Sequence, residues 1–467
     1  MTQIPILNGI YTDDAADFRT SYPINMVPVP KQQGLSAGYL RPSDGIVELG
    51  TGPGIDRGGI NWNGVCYRVM GTKLVSISES GVTTTIGDVG GSGQVTFDYS
   101  FDYLGIASSG KLYLYNGISL AQNTDPDLGN VVDFIWIDGY FMTTDGTSII
   151  VTELTDPFSV NPLKYGSSEV DPDSIKALKK IKDEAYAVNR YTIEVFDNIG
   201  GDFFPFQRID GAQIDKGSIG THSVCIYEDA LVFIGSGRNE APSVYLATGG
   251  QAPKISTREI DQLLESYSET QLSNSVLEVR GNKGHSHLWI RLPDRTIVYD
   301  YAASKVLEKP VWHTLISSLE GFQKYRAQNL VWCYDKWLCG DPFSSSHGYL
   351  TDKISTQYGN DARWEFGTII IYNQSNSAIM HQLELVSLPG RIALGSEPTI
   401  STSYSVDGVN WSQEKYKSIG KIGDRTKRIV WLNQGWLRNW RIQRFRGDSQ
   451  AFISFARLEA TIEPLSV

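Results

Sequence analysis

The residues of this 467-residue chain best suited to holding a metal or attacking a substrate are its six histidines and four cysteines. His285 and His287 flank Ser286 and would share one face of any strand that contained them. Two imidazoles without a third ligand are a weak metal site, so ordinary core or surface histidines are the expectation. Cys66, Cys225, Cys333 and Cys339 are scattered and too few for a disulfide framework. A hairpin would bring Cys333 and Cys339 together near His347, but the spacing fits no zinc pattern, and small thiols are common in cores. Gly50-Thr51-Gly52-Pro53-Gly54 has neither the Walker lysine nor the dinucleotide spacing, and its proline spoils a helix start, so it reads as a turn. No Gly-x-Ser-x-Gly elbow is present. The expectation is a chain with no catalytic residue, no cofactor and no metal, and not an enzyme.

Two segments call for a closer look. Ser405-Val406-Asp407-Gly408-Val409-Asn410-Trp411 is similar to the Asp-box of sialidases, but Gly follows Asp directly, so the turn must differ. It occurs once, whereas sialidase blades carry several. A carbohydrate-binding or glycan-degrading propeller is kept as the alternative on this ground. The second segment is basic. Ten Lys and Arg fall between Lys415 and Arg446, opposed only by Asp424 and interleaved with Trp431, Trp436 and Trp440. Arg and Trp are common interface anchors, and cations among aromatics also suit nucleic acid. The bland alternative is a solvated face. The net charge is −11, yet residues 361–467 carry 13 Lys and Arg against 10 Asp and Glu, leaving −14 for the rest. An acidic chain argues against general nucleic-acid binding. The reading preferred is therefore contact with an acidic neighbouring subunit, through Arg438, Arg441, Arg444, Trp436 and Trp440.

The elements that must carry these residues are short strands. Forty-six glycines, 24 tyrosines and 11 tryptophans suit tight turns and pleated surfaces. From residue 61 a unit recurs: an apolar strand, a Gly/Asp/Asn turn, then a second strand. The second strands fall at 73–77, 111–115, 148–151, 192–196, 243–246, 296–299 and 347–350, each preceded by a partner, from 65–70 to 330–334. Seven strand pairs at spacings of about 40–50 predict a β-propeller over 61–355 with seven blades, six being the alternative. Residues 256–271 predict one inserted helix, opened by a Ser256–Glu259 capping box, with Ile260, Leu263, Leu264 and Tyr267 on its core side. Strands beyond residue 356, with a hairpin turn at Asp407-Gly408, predict a C-terminal β-sandwich-like domain over 356–467. The Pro- and Gly-rich residues 1–60 predict an extended N-terminal arm, lying on a neighbouring molecule or wrapped on its own domain. The class is all-β. Met1 to Asn8 has no basic leader region, and no segment approaches a membrane span.

A further set of motifs runs in order along the chain: Ser36-Ala37-Gly38-Tyr39-Leu40-Arg41, Tyr67-Arg68-Val69-Met70-Gly71, Gly87-Asp88-Val89-Gly90-Gly91-Ser92-Gly93 and Lys216-Gly217-Ser218-Ile219-Gly220-Thr221. In these the chain shows a likeness: it resembles the packaged-DNA stabilisation or tail hub proteins of short-tailed lambdoid phages. The likeness is best from Ala241-Pro242-Ser243-Val244-Tyr245-Leu246 through Gly250-Gln251-Ala252-Pro253 to Glu265-Ser266-Tyr267. It covers the chain to about residue 350 and is loose beyond. The resemblance implies a homo-oligomeric ring, a hexamer, below the portal and its adaptor ring. Such a ring closes the filled head, retains the DNA, and carries the tail needle and tailspikes for genome ejection. Double-stranded DNA would pass without sequence recognition. The implied location is the virion, after assembly in the host cytoplasm, with no membrane contact.

Overall fold

The computed structural model describes residues 2–7, 22–31, 37–154, 156–168, 171–201, 203–373, 376–387, 396–408 and 410–465. Seven small antiparallel sheets succeed one another along the chain. Blade 1 is Asp56–Trp62, Val65–Met70, Lys73–Ile77 and Thr83–Asp88, in that order from the axis outwards. Blade 2 spans Thr96–Tyr99 to Leu120–Gln122, blade 3 Asp133–Ile137 to Val160–Ser167, and blade 4 Ile175–Ile181 to Phe206–Arg208. In blade 5, Gly217–Ser218 and Val224–Tyr227 share the inner position beside Ala230–Ser236 and Ser243–Ala247. Blade 6 is Val276–Asn282, His285–Arg291, Thr296–Asp300 and Trp312–Leu315. Seven blades are thus present, not six.

The strand pairs read from the sequence are the second and third strands of the blades. These are the most apolar because neighbouring blades cover both faces. Leu104–Ser108 and Ala230–Ser236 are buried at every position. Inner and outer strands are mostly mixed or exposed, as in Thr83–Asp88; the outer strand Trp312–Leu315, bridged by Ile24, is the buried exception. The seventh pair is an exception. Its first member, read at 330–334, belongs to the inner strand Gln328–Cys333, and the second strand is Lys336–Gly340. Tight turns set the hairpins. Asn63-Gly64, Asp138-Gly139 and Lys283-Gly284 have φ of 52° and 78°, 50° and 89°, and 51° and 82°, the double left-handed pair that matches strand twist.

Ring closure comes from the far end of the chain. Gly45–Thr51 is the outer strand of blade 7, pairing antiparallel with Ser346–Thr351 from Gly45↔Thr351 to Thr51↔Ser346. At the seam with blade 1, buried Arg68 donates to Asp56 at 3.0 Å and to the Asn329 carbonyl at 2.9 Å. Asn329 Nδ2 donates to the other Asp56 oxygen at 2.6 Å. Cys66, Met70, Val75 and Ile77 pack against Val331, Cys333 and Leu338 there.

The C-terminal domain is a sandwich of two sheets. One orders Met26–Pro30, Gly38–Pro42, Phe455–Pro464, Ala378–Ser387 and Ile429–Leu437, with Thr2–Ile4 also on Phe455–Pro464. The other orders Arg363–Gly367, Trp440–Asp448, Thr399–Ser405 and Lys415–Ser418, with Ile371–Tyr372 on Trp440–Asp448. Trp364, Phe366, Trp431, Phe445 and Phe455 fill the space between them. The N-terminal segment is extended, but its described strands are built into this molecule's own two domains. Pro23 to Asn25 stitches them together. Asn25 N donates to Thr314 O in blade 6 and Ile24 N to Glu365 O in the sandwich, while Asn25 Nδ2 reaches the carbonyls of Ile316 and Arg363.

Three α-helices interrupt the strands among the described residues, α1 (Arg258–Glu265), α2 (Glu269–Ser273) and α3 (Tyr301–Leu307), with a 3-10 turn at Pro126–Leu128; the one helix expected over 256–271 is thus two, broken where Ser268 caps α2. Ile260 and Leu264 of α1 pack on Val244 and Leu288, as the periodicity predicts. The capping box is elsewhere. Ser256 Oγ is engaged by Val244 N and Asp261, so it does not cap α1; the reciprocal box joins Ser268 and Gln271 at α2.

Candidate assembly surface

The basic strand Trp440–Asp448 crosses the sandwich in alternation, so its charges divide between two faces. Arg441 is fully buried. Its Nη1 donates to Gln434 O at 2.6 Å, its Nε and Nη2 to Gln443 Oε1 at 3.0 and 2.8 Å, and its guanidinium lies 4.0 Å from the Tyr404 ring centre. Burial pulls its pKa down to about 10. Arg444 is half-buried, donating to Ser403 Oγ at 3.2 Å and covering the Trp411 ring at 3.9 Å. Burial likewise brings it down to about 10. Arg446 bridges Glu365 at 2.6 Å and Glu414 at 3.2 Å. These cations, expected on a contact face, instead hold the sandwich together. As a correction to the sequence reading, Arg441 presents nothing to a partner.

Arg438 and Trp436 are different. Trp436 is 52% exposed, and the Arg438 guanidinium lies 5.4 Å from its ring centre. Trp440 is half-buried, opposite Tyr372 in register. Leu432 at 62% and Tyr416 at 64% are exposed too, and the sequence reading missed both. They lie on Ile429–Leu437 and Lys415–Ser418, the last strands of the two sheets. The two edges meet: Lys415 Nζ donates to Asn433 O at 3.2 Å, and Trp431 Nε1 to Lys415 O at 2.9 Å. Exposed Lys417, Lys421, Arg425, Lys427 and Arg428 surround them. Of these, Arg428 is paired with Glu384, and Lys421 lies 3.6 Å from Glu397. One border of the sandwich therefore combines two strand edges, exposed apolar side chains and a cationic rim. Strict period-two alternation would not have found them: Trp431, Gln434 and Leu437 are buried, and Leu432 and Trp436 turn outward between them.

The other sequence candidates have structural work. In the Asp-box-like segment, Ser405 Oγ accepts from Gly408 N at 2.8 Å, and Asp407 takes Asn410 N and Nδ2, each at 2.7 Å. Both carboxylate oxygens are spent on the turn. Cys333 and Cys339 are free thiols: the first donates to Gly64 O, the second lies 3.8 Å from Tyr358 OH, and buried His347 stands opposite Gly340 in register. His285 and His287 do share a strand face, where Asp300 and His313 join them.

With this geometry in hand, likeness to known proteins can be stated. Residues 2–355 match the family model described as bacteriophage P22 Gp10, beta-propeller, and residues 363–463 the one described as bacteriophage P22 Gp10, beta-sandwich. The second match covers the region where the sequence likeness was only loose. The tail hub protein gp10 of Salmonella phage P22 is 29% identical over 460 residues, covering 93% of this chain and 94% of that one. Among solved structures, the Neurospora crassa Pan2 WD40 domain aligns with a TM-score of 0.42 at 9% identity, covering 66% of this chain and 95% of that one. PorZ of Porphyromonas gingivalis aligns at 0.40 and 10%, covering 80% and 46%.

Proposed function

The chain belongs to the bacteriophage P22 Gp10 family, and from that premise we propose that it is a tail hub, a structural protein of a short phage tail. Its copies form a ring below the portal adaptor, close the filled head, retain the packaged DNA and carry the tail needle and tailspikes. The observation that carries the reading is the end-to-end match to a named tail hub, through propeller and sandwich in the same order.

The charge distribution gives this reading a physical form. A closed ring needs one patch to meet a different patch on the next copy. The cationic sandwich border is one such patch. The other is an acidic rim of the propeller, where Asp102, Asp183 and Asp229 stand exposed on turns between the first and second strands of their blades. The propeller axis is not a passage for DNA. Gln94 Nε2 donates to Asn329 of blade 7 at 2.6 Å, and the Gln94 backbone meets His222 of blade 5, so side chains cross the axis. A duplex would run between copies, past acidic walls that repel phosphates and let it slide. The test is to assemble particles without this protein. They should fill and then lose their DNA on purification; heads that stay full would remove the closure role.

A further inference from the structure

Blade 6 carries a group of polar side chains that neither its folding nor the ring explains. His285 and His287 lie on its second strand, and Asp300 lies opposite His287 on the third. Asp300 Oδ2 is 2.5 Å from His285 Nδ1 and 3.4 Å from His287 Nε2. The three ligand atoms all lie within 4.8 Å of one another. His313, on the fourth strand, is buried and packs edge-on to His287 with ring centres 5.4 Å apart.

A hydrogen bond between His285 and Asp300 would be an ordinary structural feature. It leaves His287 unexplained. That ring is 2% exposed, yet its Nδ1 has no hydrogen-bond partner among the described residues, and its Nε2 has only a long approach of 3.4 Å to Asp300. His313 Nδ1 is likewise buried without a partner. Buried imidazoles normally have their nitrogens satisfied. Here His285 and His287 converge on one carboxylate, and the His287 Nε2 turned toward it stays at 3.4 Å, too far for a well-formed hydrogen bond.

We propose that His285 Nδ1, His287 Nε2 and Asp300 Oδ2 bind a divalent first-row transition-metal ion, zinc by ligand type, which ties the second and third strands of blade 6 together. Two imidazoles and a carboxylate are a zinc ligand set, and ligands about 2.0–2.1 Å from a tetrahedral ion stand about 3.3 Å apart. The separations of 2.5 and 3.4 Å bracket that value and the two imidazole nitrogens lie within 4.8 Å of each other, so side-chain shifts of about an ångström bring the three ligands into place. The carboxylate is already oriented: its other oxygen accepts from Ala303 N and caps α3. Arg280, opposite His287 on the inner strand, is committed to Asp44 at 2.5 Å, which leaves Asp300 to the histidines. His285 is the half-buried member and gives the ion a way in from the surface beside the Lys283-Gly284 turn. The fourth position is open to water or to a rotated His313. The ion's role would be to brace the blade that Pro23 to Asn25 stitches to the sandwich.

The test uses the full chain without an affinity tag, equilibrated with micromolar zinc and desalted. Elemental analysis should find one zinc per chain. Zinc should raise the melting midpoint by several degrees, a chelator should reverse the rise, and magnesium should do nothing. His287→Gln and His285→Ala should each lose both the ion and the shift. If the buried His287 variant fails to fold, the His285 variant decides alone. A wild-type chain that retains no zinc would overturn the proposal, as would a His285→Ala chain that keeps the ion and the shift.

Discussion

At the seam between blades 7 and 1, Arg68 and Asp56 have no solvent exposure, and each is the other's only charged hydrogen-bond partner there. Removing one member of a buried pair strands the other charge, at a cost of about 3–5 kcal/mol. Arg68→Met should therefore lower unfolding stability by that amount in urea titrations. Adding Asp56→Asn should restore part of it; a double variant no better than the single would show that the pair is not the source. His347, on the blade 7 side of the same seam, responds to pH. Burial pushes its imidazole down to about 4, with Arg68 adding to the effect. Above pH ~6.5 the ring is neutral folded or unfolded. Between ~6.5 and 4 only the unfolded chain takes up the proton, so stability falls as pH falls, by on the order of 2–3 kcal/mol, and the loss levels off below 4. In His347→Leu the urea midpoint should drop less between pH 7 and 4.5 than in the natural protein. An unchanged drop would assign the effect to other buried histidines.

Among the elements, Gly45–Thr51 has the largest consequence for its length, because it closes the propeller from the opposite end of the chain. Deleting residues 1–35 spares it but removes Thr2–Ile4 and Met26–Pro30 from the sandwich, together with the Asn25 stitch. That deletion should leave the blades protected in hydrogen exchange while the sandwich exchanges faster. Deleting residues 1–55 should also expose Ser346–Thr351 and loosen blades 7 and 1. Equal protection of blade 7 in both would refute the closure. At the sandwich border, reversing Arg425, Lys427 and Arg438 to Glu should weaken association between copies, and adding salt to the natural protein should act in the same direction. The fold stays intact because all three are exposed. The same reversal at Arg441 would test folding instead. These elements were unequally legible. The second and third strands announced themselves because both faces are buried and their turns are Gly- and Asn-rich. The inner and outer strands did not, since polar seams and solvent break their pattern. The closing strand could not be paired, because its partner lies about 300 residues away. Arg441 was misplaced because charge alone suggested surface; the Arg441, Gln443, Phe445 alternation was the missed cue to an inward face.

For the whole molecule, strands from the first 42 residues join those of the last hundred in the sandwich, and Gly45–Thr51 then closes the propeller, so neither domain is a simple appendage of the other. The propeller contributes acidic turns and the sandwich a cationic border, two unlike patches of the kind that the proposed head-to-tail ring would use. On the proposed role, holding DNA against internal pressure would ask for large, well-packed contacts between copies, and the exposed Trp436, Leu432 and Tyr416 offer apolar area at the border. The measurement that bears most directly on this account is cryo-electron microscopy of the virion. It should show copies of the propeller and sandwich as a closed ring at the head–tail junction, with the Trp436 border against the propeller of the next copy. Density for the chain only at the tail tip, or as isolated copies with no ring, would contradict it.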